Sequence, residues 1–369
     1  MKICFLTPDF YPRGGGVSHV TMDLSQELIK RGHKITIITR MLESNIKHEI
    51  HKEIEIIRIK RWLPKLVTLD YIIYSIFTFF ILLRRNFDVV HAQSILPFGL
   101  ITGVIEKIKK TKTIAQAHGK DINKELVLNK FTRPFAKWAL KNNKIILALC
   151  NYHKKIIYNY TKKNAIILPH GQIPFEIKQT KKQCIDELKL NHSKLNILWV
   201  GRFIKRKGAD ILIKSIEDLN CQVHLIGEGP EKNNLYNLIK SKKMESKVTF
   251  HGVLSRDKTL KFMRASDLFV FPTKKEAFGV VILEAMEMKL PIITSNSWNT
   301  GGPTEILENN VDALLVPRDP ESFKKAIIEL KENNSLRTKL IKNAHRKVKK
   351  DYTWESVTDK YLNILTQVK

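Results

Sequence analysis

The chain has 369 residues, of which 43% are hydrophobic, and 64 Lys and Arg residues against 36 Asp and Glu residues give it a formal net charge of +28. This length favours two domains over one, and the hydrophobic share excludes a disordered chain. The cysteines Cys4, Cys150, Cys184 and Cys221 lie far apart without CxxC spacing, which argues against a zinc site and a disulfide framework. We therefore expect a cytoplasmic protein.

The first segments of the chain predict a strand, a glycine turn and a helix. Residues 3–6 are apolar, but the stretch is too short for a signal peptide, so it predicts a buried strand. Gly14, Gly15 and Gly16 follow, and they permit close backbone approach to a ligand, although a simple tight turn would also explain them. A helix is expected to end near residue 31, before a strand at residues 35–39.

Residues 66–83 are the longest apolar segment, interrupted only by the charge of Asp70. The uncharged stretch 71–83 is shorter than the roughly 20 residues that a membrane span needs. We therefore expect a buried helix packed on the sheet, followed by a strand at residues 89–91.

Two features of residues 118–144 have both a structural and a functional interpretation. His118 opens a His-Gly-Lys-Asp run, and a single histidine after a strand is more often structural than catalytic. Farther on, basic residues recur at steps of three and four, on one face of a predicted helix. That face is either simply solvated or attached to an anionic membrane surface, where each basic residue contributes about 1 kcal/mol. The basic residues are Lys130, Arg133, Lys137, Lys141 and Lys144.

The second half repeats the alternation of strands and helices. The polar residues 178–194 predict a linker, and an amphipathic helix is expected at residues 354–368. Two doubly wound α/β halves follow from this pattern. The strands of the second half are expected at 197–200, 223–226, 248–250, 268–271, 292–294 and 314–316.

Basic residues and glycines follow the first strands of this half. Gly201 and Arg202 end one predicted strand, Lys207 follows shortly after, and Gly229 lies in a turn after the next strand. Because parallel α/β sheets bind ligands where their strands end, Arg202 and Lys207 are expected to point into the same crevice as the helix that begins at Gly279, just after Glu276.

Two glutamates, Glu276 and Glu284, flank the start of another predicted helix. Any loop followed by a helix can carry two glutamates. The helix start also offers free backbone N–H groups that could hold a diphosphate, and Glu284 would suit a pair of ribose hydroxyls. The residues at that helix start are Phe278, Gly279, Val280 and Val281.

Taken in order, these motifs resemble those of the retaining glycosyltransferases of family 4, which have the two-domain GT-B architecture. The matching motifs extend over nearly the whole chain. They are Pro8, Pro12, Gly14 to Gly16 and His19; Asp88 to His91; His118 to Asp121; Gly201, Arg202, Lys207 and Gly208; Gly227 to Pro230; and Glu276 with Glu284.

The resemblance implies an α/β fold of two Rossmann-like, doubly wound domains that face a central cleft. Residues 1–177 would form the acceptor-side domain, 178–194 the linker region and 195–350 the nucleotide-sugar-binding domain. Residues 351–369 would form a helix that crosses back to the first domain.

The resemblance also implies transfer of a hexosyl unit from a nucleoside-diphosphate sugar, with UDP favoured over GDP, to a glycan or lipid-linked acceptor. Configuration at the anomeric carbon would be retained, and neither a metal nor another cofactor is expected. The implied catalytic residues are His118, Arg202, Lys207 and Glu276. The implied donor-binding residues are Gly15, Gly16, Gly201, Arg202, Lys207, Gly229, Phe278, Gly279, Val280, Val281 and Glu284.

One departure from the family pattern and two alternatives stay open. His170 and Gly171 stand where relatives usually carry Asn-Gly, which leaves a loop contact undecided. A GT-B epimerase or phosphorylase would share the architecture. A protein that binds polyanions is the non-enzymatic alternative, because the sequence pI is about 9.8, but no motif predicts a specific nucleic-acid partner.

Overall fold

The computed structural model describes residues 1–12, 16–41, 46–63, 65–119, 121–172, 177–276, 278–296 and 301–367. These form two compact units, one of Met1–Gly171 with Trp354–Lys369 and the other of Gln172–Thr353. The first unit thus ends before residue 177. The predicted linker region contains a helix, Lys181–Glu187, because Thr180 and Gln183 form a capping box at its start.

The first unit is built on an eight-stranded sheet with the order β3-β4-β2-β1-β5-β6-β7-β8. All neighbouring strands are parallel except the β3–β4 pair at one edge. The strands are β1 (Lys2–Leu6), β2 (Lys34–Arg40), β3 (His48–His51), β4 (Ile54–Ile59), β5 (Val89–Ala92), β6 (Lys112–Ala117), β7 (Ile145–Ala148) and β8 (Ile166–Ile167).

Helices cover both faces of this sheet because its central strands are apolar on both sides. In β1, Ile3 and Phe5 pack into one core cluster, whereas Cys4 and Leu6 pack into another on the opposite face. The helices are α1 (Gly16–Lys30), α2 (Val67–Arg84), α3 (Phe98–Ile108), α4 (Arg133–Asn142) and α5 (Asn151–Thr161), with a π-helical segment at Ile122–Leu128.

The prediction that α2 is buried is only half correct. Tyr74 and Leu82 are buried against the sheet, and the Tyr74 hydroxyl donates to the backbone oxygen of Ile38 at 3.1 Å. On the other face Ile76 and Phe80 are 50% and 51% exposed. The helix is apolar all round, but the sheet covers only one side of it. Within the described residues, no helix combines the length and hydrophobicity needed to span a membrane.

The second unit has a six-stranded, wholly parallel sheet with the order β11-β10-β9-β12-β13-β14. Its strands are β9 (Leu195–Val200), β10 (Cys221–Ile226), β11 (Val248–Gly252), β12 (Leu268–Phe271), β13 (Ile292–Ser295) and β14 (Leu314–Val316). Its helices are α6 (Lys181–Glu187), α7 (Ala209–Ser215), α8 (Lys232–Ser241), α9 (Arg256–Ala265), α10 (Val280–Glu287), α11 (Pro303–Ile306), α12 (Pro320–Glu332) and α13 (Asn334–Asp351).

The last helix, α14 (Trp354–Gln367), packs in the first unit and completes its core. Trp354 and Tyr361 are buried in the same cluster as Phe5. The Trp354 indole donates to Asp23 at 3.2 Å, and its ring leaves no room for a Cβ atom at Gly171. The end of the chain therefore belongs to the first unit.

Candidate functional site

Each sheet has one point at which its strand order reverses. In the second unit the chain runs outward from β9 to β11 and then returns to place β12 on the other side of β9. In the first unit β5 returns to the other side of β1 in the same way. Ligands of doubly wound sheets bind at the carboxyl ends of the strands beside such a reversal. The loops after β9 and β12 in the second unit and after β1 and β5 in the first therefore lie at the edge where ligands are expected.

Lys207 and Glu276 form an ion pair between the loops that follow β9 and β12. Their side chains are only 13% and 16% exposed, and the Lys207 ammonium lies 4.8 Å from the centre of the Phe271 ring. Partial burial strengthens the attraction between the two charges. The sequence placed both residues at one crevice, and the structure brings them into direct contact.

Glycines let the loops of this crevice approach one another closely. Gly208 has φ +72°, and a Cβ atom there would overlap the carbonyl oxygen of Pro272. A Cβ atom at Gly229 would likewise overlap the carbonyl oxygen of Phe203. Gly201 donates its N–H to the backbone oxygen of Ile226 at 2.9 Å. Gly208 and Gly229 are therefore required by backbone packing rather than by a ligand alone.

Arg202 is exposed and has no ion pair or hydrogen bond from its side chain within the described residues. The nearby helix α10 begins after Gly279, whose φ is +91°, and no side chain caps its first turn. Val280 and Val281 are partly exposed there, whereas Phe278 is buried. A guanidinium group and an uncapped helix start are two features that attract anions.

Glu284 lies on the fifth position of α10, where its carboxylate accepts from Arg256 at 3.3 Å. Burial raises the pKa of Glu284, and the Arg256 charge opposes that shift. The sequence did not predict Arg256, which begins α9 behind the cap of Ser255. No local pattern in the sequence identifies Arg256 as the partner of Glu284. Glu284 is therefore paired rather than free.

His118 follows β6 in the first unit, between two polar side chains. Its Nε2 lies 2.7 Å from Oε1 of Gln93, and its Nδ1 lies 3.3 Å from Nε2 of His170. Burial, together with the charge of a protonated His170, places the pKa of His118 well below its usual value. His118 is therefore a neutral hydrogen-bonding group. The contact that the sequence left undecided at His170 is a contact with His118.

Asp121 fixes the loops that carry His118. Its carboxylate accepts from the backbone N–H groups of Ile95, His118 and Ile122 at 3.2, 3.0 and 3.0 Å. Burial raises its pKa to about 6, and these three hydrogen bonds oppose the shift. Asp121 therefore holds the loops after β5 and β6 together.

A groove of about 1140 Å³ opens beside His118 and Asp121, and we call it the α2–α3 groove. Its apolar walls include Ile72, Ile76 and Phe80 of α2 and Ile101 and Val104 of α3.

The basic helix of residues 130–144 differs from its prediction. It spans only Arg133–Asn142, so Lys130 and Lys144 lie outside it. The Arg133 guanidinium donates to the backbone oxygens of Leu126 and Val127 at 3.0 and 2.6 Å, which gives it a structural role. Lys130, Lys141 and Lys144 remain exposed.

The glycine turn is described only in part. Gly15 lies outside the described residues, whereas Gly16 is the first residue of α1. A Cβ atom at Gly16 would meet no atom within 4 Å. Gly16 is thus not required sterically. The described residues contain no group of three or more His, Cys, Asp or Glu side chains suited to a metal ion.

Two family models match the chain. The model described as Glycosyl transferases group 1 matches residues 180–347, and the model described as Glycosyltransferase Family 4 matches residues 14–171. Between them the two matches extend over most of both units.

Individual proteins are similar over the same range. An uncharacterized glycosyltransferase of Methanocaldococcus jannaschii is 28% identical over 275 residues, which are 73% of each chain. The GPI3 subunit of phosphatidylinositol N-acetylglucosaminyltransferase from Saccharomyces cerevisiae is 23% identical over 391 residues, covering 100% of this chain and 83% of that protein. The solved structure of Anabaena HepE with UDP and glucose has a TM-score of 0.79 at 17% identity and covers 100% of both chains.

Proposed function

Because this chain belongs to glycosyltransferase family 4, we propose that it moves a hexosyl unit from a UDP-sugar to a glycan or lipid-linked acceptor. We further propose that configuration at the anomeric carbon is retained. The predicted family and the predicted GT-B fold are confirmed. The donor, the stereochemistry and the acceptor are the proposed parts.

The observation that carries the proposal is the Lys207–Glu276 pair at the strand reversal of the second unit. Within this pair each charge balances the other. On donor binding, Lys207 and Arg202 contact the diphosphate, which also accepts from the N–H groups at the start of α10. Glu276 accepts from the sugar hydroxyls. The negative charge that develops on the leaving diphosphate is then met by two cations and a helix start, without a metal.

In the proposed reaction the acceptor hydroxyl attacks the anomeric carbon on the face from which UDP departs. A bond forms between the acceptor oxygen and the anomeric carbon, the bond from that carbon to the β-phosphate oxygen breaks, and the acceptor proton passes to the departing phosphate. His118, held neutral, hydrogen-bonds the donor sugar beside that carbon. Glu284, already bound to Arg256, accepts from the ribose hydroxyls.

Two relatives support the choice of substrates. HepE, which shares the fold, was solved with UDP and glucose, and this supports a UDP-sugar donor. The name of the yeast relative describes transfer of N-acetylglucosamine to phosphatidylinositol, and this supports an acceptor carried by a lipid. Assembly of a surface glycan or glycolipid is consistent with both.

Calorimetric titration with UDP, GDP and ADP in EDTA tests the proposal. We expect wild-type protein to bind UDP selectively and Arg202→Ala to weaken binding at least tenfold, because a charge-assisted hydrogen bond contributes about 1.5–3 kcal/mol. Lys205→Ala is the matched control, since it removes one exposed charge from the same turn. No nucleotide binding alongside tight, salt-sensitive oligonucleotide binding would contradict the proposal and favour a polyanion-binding protein.

A further inference from the structure

The α2–α3 groove is too apolar for a free glycan. Its walls carry the side chains of Ile72, Ile76, Phe80 and Val104, and each of these is between 37% and 51% exposed. Its volume of about 1140 Å³ slightly exceeds the usual range for small-molecule sites, roughly 300–1,000 Å³. Leaving this much apolar surface in water is unfavourable, so the groove is suited to an apolar occupant.

The apolar surface continues beyond both walls of the groove. On α2, Leu69 is 46% exposed outside it. On the other side Leu128 and Phe131 are 75% and 88% exposed. Isolated exposed apolar residues are ordinary, but a run of them around one groove marks an interaction surface.

The inner end of the groove is polar. His118, Asp121 and Gln93 lie there, and the buried Nε2 of Gln93 has no hydrogen-bond partner within the described part of the chain. A buried donor without a partner is unfavourable until an acceptor reaches it. The groove therefore combines apolar walls with a hydrogen-bonding end, which is the polarity of a lipid with a hydrophilic headgroup.

Basic residues predominate on the α4 side of the groove, although Glu125, just before the segment 129–144, also lines it. Residues 129–144 contain five Lys or Arg residues and no Asp or Glu residue. Asn129, Thr132 and Phe135 of this segment line the groove, and the exposed Lys130 lies between the first two. Exposed aromatic side chains mixed with lysines are typical of a surface that rests on an anionic membrane.

We propose that the α2–α3 groove holds the hydrocarbon chain of the acceptor, which is a lipid with an anionic headgroup taken from a membrane surface. This inference rests on the glycosyltransferase function proposed above and specifies its acceptor class. The chain lies against α2 and α3, the exposed Lys130 beside the lining residue Asn129 attracts the headgroup, and the hydroxyl that receives the sugar lies at the polar end beside His118.

Dodecyl phosphate is a suitable probe, because it has a single alkyl chain and an anionic headgroup. Its binding to the full chain is measured by calorimetry below its micelle concentration, with ethyl phosphate as the probe that lacks the chain. Phe80→Glu places a charge in the groove at a half-exposed position, where folding should tolerate it. Phe77→Glu is the matched control, since it makes the same change at an exposed position of α2 outside the groove.

We expect dodecyl phosphate to bind wild-type protein and Phe77→Glu equally, and Phe80→Glu at least tenfold more weakly, with ethyl phosphate binding far more weakly to all three. Equal binding of dodecyl phosphate to all three proteins, equal binding of the two phosphates, or no binding to wild-type protein would overturn the proposal. So would a dimer, detected by sedimentation, that Phe80→Glu dissociates.

UDP titration of wild-type protein and Phe77→Glu separates this inference from the proposed function. The Lys207–Glu276 pair lies in the second unit, whereas the groove lies in the first. UDP binding without dodecyl phosphate binding would refute only the groove as a lipid site. Absence of UDP binding would instead refute the proposed donor.

Discussion

His118 and His170 share one hydrogen bond, with Nδ1 of His118 lying 3.3 Å from Nε2 of His170. Because Oε1 of Gln93 only accepts, Nε2 of His118 carries the proton, and Nδ1 accepts from His170. Burial lowers the pKa of His170 to about 4, so both rings are neutral near pH 7. A donor sugar that bonds Nε2 of His118 must therefore displace Gln93.

Replacing His118 by alanine should lower the rate of sugar transfer by about 100-fold or more, the usual loss for one hydrogen-bonding group directed at a transition state. The rate of UDP release from UDP-glucose is the measurement, with phosphatidylinositol, an anionic lipid that carries free hydroxyl groups, absent and present as the acceptor. His192→Ala is the control, since that histidine is 52% exposed and lies in the other unit. A normal rate for His118→Ala would show that His118 is only structural.

The free energy of unfolding should fall between pH 7 and pH 5 because of the buried histidines. A histidine whose pKa is about 4 when folded and about 6.5 when unfolded stabilises the protein fully above pH 6.5, and this contribution is lost as the pH falls through about 4. For His170 the loss between pH 7 and pH 5 is about 2 kcal/mol.

His170→Asn should reduce that fall, because asparagine can still donate to His118 but does not titrate. Asp121 has the opposite effect on the free energy of unfolding. Because its pKa is raised to about 6, its stabilising contribution is lost as the pH rises through 6. Urea unfolding of both proteins at pH 5 and pH 7 is the measurement. If the free energy of unfolding falls equally in the two proteins, His170 does not contribute to this pH dependence.

Glu276→Gln should separate donor binding from catalysis. The substitution removes the partner of Lys207 but leaves its positive charge, so UDP affinity should stay the same or increase. Transfer should nevertheless fall about 100-fold, because Glu276 no longer positions the donor sugar. Calorimetry with UDP and the rate of UDP release test the two parts. Weaker UDP binding would show that Glu276 contacts the nucleotide or shapes its site.

Gly208→Ala should destabilise the second unit by about 3 kcal/mol or more. Alanine is strained at φ +72°, and its Cβ atom would overlap the Pro272 carbonyl group. Gly16→Ala is the matched control, since nothing lies near its Cβ position, and its effect should stay below about 1 kcal/mol. Thermal unfolding of the two variants checks the difference. Equal stability would mean that the loop after β9 can move away from Pro272.

Much of the fold could be predicted because its central strands are fully buried and therefore apolar on both faces, as in β9 and β12. Strand β3, with the sequence His-Glu-Ile-His, was missed because an edge strand is half exposed and carries polar residues. The exposed face of α2 was also missed. The amino-acid composition of α2 shows that the helix is apolar, but it does not show which side of the helix the sheet covers.

The site was predicted less completely, because pairings depend on loops that are distant in sequence. The sequence predicts that Lys207 and Glu276 follow strands at one crevice, and strand order then brings them together. Nothing local in the sequence indicates that His170 would bond to His118, 52 positions away, or that Arg256 would pair with Glu284. Such partners become evident only when the loops are placed in three dimensions.

Helix α14 has a consequence for how the chain folds during synthesis. Trp354 and Tyr361 belong to the core that surrounds Phe5, yet the ribosome makes them after the whole of residues 172–353. The second unit can therefore fold while the first still lacks part of its interior. The unit that begins the chain is the last to be completed, and until then the apolar surface meant for α14 is open to chaperones.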